Sequence, residues 1–239
     1  MKILSIGNSF SQDSQRYLHK LAKAEGVDLY TVNLYFPGCT LSTHYNHFVN
    51  NLPNYELEIN GESANRKIAI SEALKMQDWD VITLQQASHA SINYQTYLPY
   101  ILVLAENVRN QCLKAKIYLH QTWAYADGSE KLNGLVGYDS AEAMFSDLSS
   151  AYEKIAKDIC ADGFIPSGSA MMSAVKLGLP KTHRDGFHAS LGAGRYLLAL
   201  TWYKALTGND ISNNGFDCFD EPVSQKEREI VIKAVNTAF

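Results

Sequence analysis

The sequence predicts an α/β fold built on a parallel sheet, and three observations carry that expectation. Short apolar runs of strand length alternate with amphipathic stretches of helix length along the chain. The runs are continuously apolar, as strands covered on both faces are. No internal repeat, proline-rich linker or low-complexity tract interrupts the alternation, so residues 1–239 are expected to form a single domain.

Strands are expected at residues 2–6, 29–35, 80–84, 116–120 and 163–166. Helices are expected at 14–25, 66–76, 97–113, 140–160, 190–207 and 224–238. In the first helix Tyr17, Leu18, Leu21 and Ala22 share one face, with Ser11 or Asp13 as candidate N-caps and Gly26 as the stop. The last helix sets Val223, Ile230, Val231, Ala234 and Val235 against Lys226, Glu227, Glu229 and Lys233, which packing on a sheet explains. Residues 55–61 alternate polar with apolar and end in Asn60-Gly61, so a small hairpin arm outside the main sheet is expected there.

A hydrophobic fraction of 46% with 19% charged residues argues for a packed chain and against disorder. The formal charge is -4 and the basic residues are scattered, which leaves no stripe to neutralise a phosphate backbone; nucleic acid is not an expected partner. Cys39, Cys112, Cys160 and Cys218 lie far apart and read as free thiols. No run of about 18 apolar residues exists, so no membrane span is expected. The chain opens directly on a strand pattern without a leader, giving a cytoplasmic expectation that turns to secreted or periplasmic if Met1 replaces a removed leader.

The first strand runs into Gly7-Asn8-Ser9-Phe10-Ser11, placing Ser9 at the carboxyl end of a strand, where open α/β sheets bind ligands. A helix N-terminus there offers unpaired N–H groups to an oxyanion while serine supplies the attacking oxygen, although an N-cap or turn role explains the local sequence as well. Near the other end stands Asp185-Gly186-Phe187-His188. An imidazole three residues after a carboxylate can present one ring nitrogen to Ser9 while Asp185 orients the other. By itself Asp-x-x-His also reads as a surface pair.

Taken together the two ends resemble the SGNH/GDSL hydrolases, which carry Gly-Asp-Ser or Gly-Asn-Ser after the first strand and Asp-x-x-His near the C-terminus. The resemblance covers nearly the whole chain. It implies a flavodoxin-like three-layer α/β/α sandwich with a five-stranded parallel sheet and a serine esterase mechanism needing no cofactor or metal. It also implies an oxyanion hole made by the nucleophile's N–H, a glycine after the second strand and a side-chain amide after the third. Gly38, in Phe36-Pro37-Gly38-Cys39, answers to the glycine. The usual Gly-x-Asn-Asp block is replaced by Leu84-Gln85-Gln86-Ala87-Ser88-His89, so the third donor is Gln85 or Gln86, with Ser88 as a further possibility.

After the fourth strand come His120, Gln121, Trp123 and Tyr125. The two large rings are candidates for a substrate wall, with core packing as the competing reading. Two pairs, His44 with His47 and His183 with His188, are weighed as metal ligands and neither is expected to bind one; His44 and His47 have no nearby carboxylate, so a solvated loop or helix face is expected for them. The expected reaction is hydrolysis of a carboxylic ester, with an O-acetyl group on a carbohydrate as the favoured substrate. The alternatives are a weak or inactive glycan-binding domain of the same fold, and lipase- or thioesterase-like activity on small acyl esters. Phosphoryl transfer is disfavoured because the first turn lacks the repeated glycines and lysine of a phosphate loop.

Overall fold

A computed structural model describes all residues from Met1 to Phe239. The strands β1 (Lys2–Gly7), β2 (Tyr30–Tyr35), β3 (Tyr55–Ile59), β4 (Glu62–Ile68), β5 (Val81–Leu84), β6 (Lys116–His120) and β7 (Gly163–Ile165) form one sheet in the order β4-β3-β2-β1-β5-β6-β7. The five strands β2, β1, β5, β6 and β7 are parallel, and β1 lies in the centre. Helices cover both faces, giving an α/β/α sandwich. On one side pack α1 (Ser9–Gln15), α2 (Leu18–Ala24), α7 (Ser167–Lys176), α8 (Ala193–Thr207) and α9 (Gln225–Thr237). On the other pack α3 (Leu41–Val49), α4 (Ile70–Leu74), α5 (Tyr100–Gln111) and α6 (Ala141–Asp158). One continuous cluster of 62 buried apolar residues fills both interlayer spaces.

The sheet has seven strands where five are implied by the resemblance. The expected arm at residues 55–61 is part of it: β3 pairs antiparallel with β2, from Tyr35 opposite Glu56 to Val32 opposite Ile59. Burying Tyr55 and Leu57 on one face while sealing the open edge of β2 favours this over a detached arm. The new edge, β4, is exposed from Glu62 through Lys67, and such charged residues discourage pairing with another chain. Residues 66–68, expected as helix, belong to this strand, and the helix after them shrinks to α4.

Other boundaries moved for local reasons. The first expected helix is two helices: α1 starts at Ser9 because Asn8 caps it, and Tyr17 separates it from α2. Neither Ser11 nor Asp13 is the N-cap. The α5 helix begins after Pro99 at Tyr100, not at 97, and α8 begins at Ala193, after Gly192. Helices α3 and α7 were not anticipated. The first is capped by Thr40, whose hydroxyl accepts from the Thr43 N–H, and the second starts directly after Pro166. No helix is long and apolar enough to cross a membrane.

Candidate active site

Strand β1 ends in Gly7, and the chain turns at Asn8 into α1. The Asn8 side chain accepts from the Phe10 N–H at 3.0 Å, and the Ser11 hydroxyl accepts from the Asn8 N–H at 3.1 Å, closing a reciprocal capping box. This close turn requires glycine at position 7, since a Cβ there would lie 2.0 Å from Ser11 Oγ. Ser9 is thereby fixed as the first helical residue at the carboxyl end of the central strand. Its N–H belongs to the unpaired donors of the first helical turn.

The structure brings the two distant ends together. Ser9 Oγ lies 2.9 Å from His188 Nε2, and His188 Nδ1 lies 2.7 Å from Asp185 Oδ2. An ionised carboxylate can only accept, so Nδ1 carries the ring proton and Nε2 offers a lone pair to the serine hydroxyl. Desolvation pulls the Asp185 carboxyl upward. Hydrogen bonds from the His188 ring and from the N–H groups of His188 and Phe187 outweigh it and hold the group below its ordinary range.

What holds the His188 loop is a set of contacts absent from the sequence reading. Asp13 stands four residues after Ser9 on α1 and is fully buried. Its carboxylate accepts from Arg184 Nη1 at 3.0 and 2.9 Å, from Arg195 Nε at 2.9 Å and from the Ala189 N–H at 3.2 Å. The Arg184 N–H donates to the His188 carbonyl at 3.0 Å. Both ends of the loop are therefore tied to the helix that carries Ser9. Trp123 adds a third tie: its indole N–H donates to the Phe187 carbonyl at 2.8 Å while its ring stacks on Phe10 at 3.9 Å between centroids.

Around Ser9 and His188 opens a cavity of about 310 Å³, lined by Asn8, Tyr35, Gly38, Ser88, Tyr125, Phe187 and their neighbours. Gly38 adopts φ +60°, a left-handed conformation natural to glycine, and its N–H has no partner within the chain. Ser88 Oγ lies 2.9 Å from Tyr125 Oη on the same wall. Trp123 does not line the cavity; it is completely buried and supports the loop from behind, so the wall role falls to Tyr125 and Phe187.

The two glutamines do not reach the cavity either. Gln85 Nε2 donates to Asn8 Oδ1 at 2.8 Å, and its Oε1 accepts from His120 Nδ1 at 2.8 Å. Gln86 Oε1 accepts from the N–H groups of Leu41 and Ala87, while its Nε2 donates to the Thr96 carbonyl. Both amides are buried and hydrogen-bonded in the interior and neither lines the cavity, which sets them apart from the oxyanion position in this arrangement. The Gln85 chain instead orients Asn8, whose Nδ2 donates to the Cys39 carbonyl at 3.2 Å and so locks the Gly38 turn beside Ser9. His120 ends this chain as a neutral ring, because burial lowers its pKa to about 3. Gln121 lies outside the cavity, with Oε1 accepting from the Ser169 N–H.

His44 and His47 are buried, contrary to the expected solvated face. They sit on the inner side of α3, where His44 Nδ1 approaches Tyr55 Oη at 2.7 Å and burial lowers the His44 pKa to about 3. Cys39 lies beside them, its thiol pushed up to about 12 by burial, so it is not a thiolate nucleophile at neutral pH. His183 packs on the Ala124 carbonyl, away from Ser9. All four cysteines are free.

A family model described as a domain of unknown function, DUF4886, matches residues 2–238. Among solved structures, a DUF4886 protein from Bacteroides uniformis is 32% identical and superposes with a TM-score of 0.92, over 100% of this chain and 94% of that one. A candidate SGNH hydrolase from Slackia heliotrinireducens gives 24% identity and a TM-score of 0.63, over 86% and 98% of the two chains. A variant of an acetyl-xylooligosaccharide esterase from Geobacillus gives 15% and 0.51, over 85% and 93%. At those lower identities the likeness is one of fold. No curated protein matches. Matched along all but its terminal residues, the chain belongs to the DUF4886 family.

Proposed function

We propose that this protein is a serine esterase. The observation that carries the reading is the continuous hydrogen-bonded chain from Ser9 Oγ through His188 to Asp185, opening on a cavity. In this mechanism His188 Nε2 takes the Ser9 proton as Oγ attacks the acyl carbon. The same proton passes to the departing alcohol as the ester C–O bond breaks, leaving an acyl-serine that water then hydrolyses by the reverse relay. Asp185 keeps the tautomer and stabilises the imidazolium. The N–H groups of Ser9 and Gly38 hold the oxyanion, with the Ser88 hydroxyl, on the same cavity wall, as the candidate third donor.

The substrate we infer is a short acyl ester, an O-acetyl group on a carbohydrate in the first instance. The cavity is at the small end of ligand sites, and the half-buried Phe187, backed by the buried Tyr125 edge to face at 5.7 Å, offers an aromatic surface to a sugar. An acetyl-xylooligosaccharide esterase shares the fold. Hydrolysis of p-nitrophenyl acetate by the purified protein and its Ser9→Ala variant tests the reaction. Loss of ~10³-fold or more in kcat with an unchanged melting temperature is expected; equal rates contradict it. Acetylated sugars set against long-chain acyl esters test the substrate, and a preference for the long chains contradicts the carbohydrate assignment.

A further inference from the structure

The polar side chains around the cavity share a bias. Apart from Ser9 and His188 they are Asn8, Tyr35, Ser88, His89, Tyr125 and Lys131. None is a carboxylate, and Tyr35, Ser88, His89 and Lys131 can each donate to a ligand, while the Asn8 amide is spent on the Cys39 carbonyl. A neutral polyol presents many hydroxyl donors, and carboxylates are the strongest acceptors a protein can offer them. A wall without any carboxylate suits a ligand that itself supplies the negative acceptor oxygens.

The fixed positive charge is also in place. Lys131 sits on the rim in a one-turn helix, residues Lys131–Leu135. Its ammonium lies 5.4 Å from the centroid of the Phe187 ring, next to His188 in sequence. Lys131 forms no ion pair, whereas Lys20, Lys176 and Lys181 each do. Since desolvation lowers the His89 pKa, that ring is neutral at pH 7, which leaves Lys131 as the standing cation of the wall. The whole chain carries -4, so any attraction of an anion to this cavity has to come from a local charge such as Lys131.

We propose that the cavity selects esters whose alcohol portion carries a carboxylate, of the acetylated uronic-acid type, with Lys131 as the specificity-determining residue. The inference rests on the esterase reading for its chemistry but not for its test, because recognition can be measured without turnover. Binding of acetylated glucuronate and of acetylated glucose to the Ser9→Ala protein is compared by titration calorimetry or ligand-observed NMR, with and without Lys131→Gln. The acid is expected to bind about 3- to 5-fold tighter at low salt, as one partly solvated charge pair allows. The preference should vanish in the Lys131→Gln background, invert in Lys131→Glu, and shrink in 0.5 M NaCl. Equal affinities, tighter binding of the neutral sugar, no measurable binding of the acid, or a preference that survives Lys131→Gln each overturn the proposal. If the preference holds while the wild-type protein turns over neither sugar nor p-nitrophenyl acetate, the esterase reading fails and the substrate class stands.

Discussion

Asp185 satisfies three donors at once, the His188 ring and the N–H groups of Phe187 and His188, and the physical consequence is a definite protonation state on both sides. Because those donors lower its pKa, Asp185 stays ionised as pH falls through the range where an imidazole gains its proton. The acid limb of log kcat/KM should therefore rise with unit slope to a plateau, reporting a single proton; a slope of two would mean that Asp185 titrates with His188. Asp185→Asn keeps an oxygen for the two N–H groups but removes the charge that pins the tautomer. A fall in kcat of ~10²- to 10⁴-fold with a folded protein is the expected result. At this scale the sequence is most readable where spacing dictates contact, as in Asp185 and His188. It is least readable where reach decides: whether Gln85, Gln86 or Ser88 faces the cavity depends on side-chain torsions that strand position does not specify. Trp123 was misleading for a related reason, since a large ring at a strand end packs inward or outward with the same neighbours in sequence.

At the scale of elements, α1 carries the proposed nucleophile Ser9 and, one turn on, Asp13, which anchors the loop of the proposed base His188. Asp13 is fully buried, and breaking such a group usually costs about 3–5 kcal/mol. Asp13→Ala should lower stability by that order in denaturant melts. The sharper variant is Arg184→Met, on a residue that is partly exposed and tied to the loop at both its backbone and its guanidinium. It should reduce kcat on p-nitrophenyl acetate at least tenfold with little change in KM. Arg195→Met, whose guanidinium also has Asp220, should lose less activity for a similar loss of stability. Activity falling only in step with stability in both variants would mean that the cluster holds the fold without placing His188. None of this was legible beforehand, because an Asp-Arg pair 171 residues apart leaves no periodic trace. The misplacement of β4 has a different origin: residues 62–67 are polar on both faces, so neither a period of two nor one of 3.6 stands out.

Across the whole molecule, parallel strand order assembles the candidate site. With β1 central, the β1, β2 and β5 ends bring Asn8, Gly38 and Ser88 to one cavity, and the loop before α8 returns His188 from the far end of the chain. That layout was legible in the sequence because continuous apolar runs and the two terminal motifs are local signals. The antiparallel β3–β4 edge was not, since what decides it is the unpaired edge of β2. The account stands or falls on Ser9 being a nucleophile activated by this assembly. The direct measurement is incubation with a fluorophosphonate followed by peptide mass mapping. One adduct per chain, on Ser9, lost in His188→Ala and accompanied by loss of p-nitrophenyl acetate turnover, is the predicted result. A chain left unlabelled, or labelled at another residue while Ser9 stays free, would contradict it.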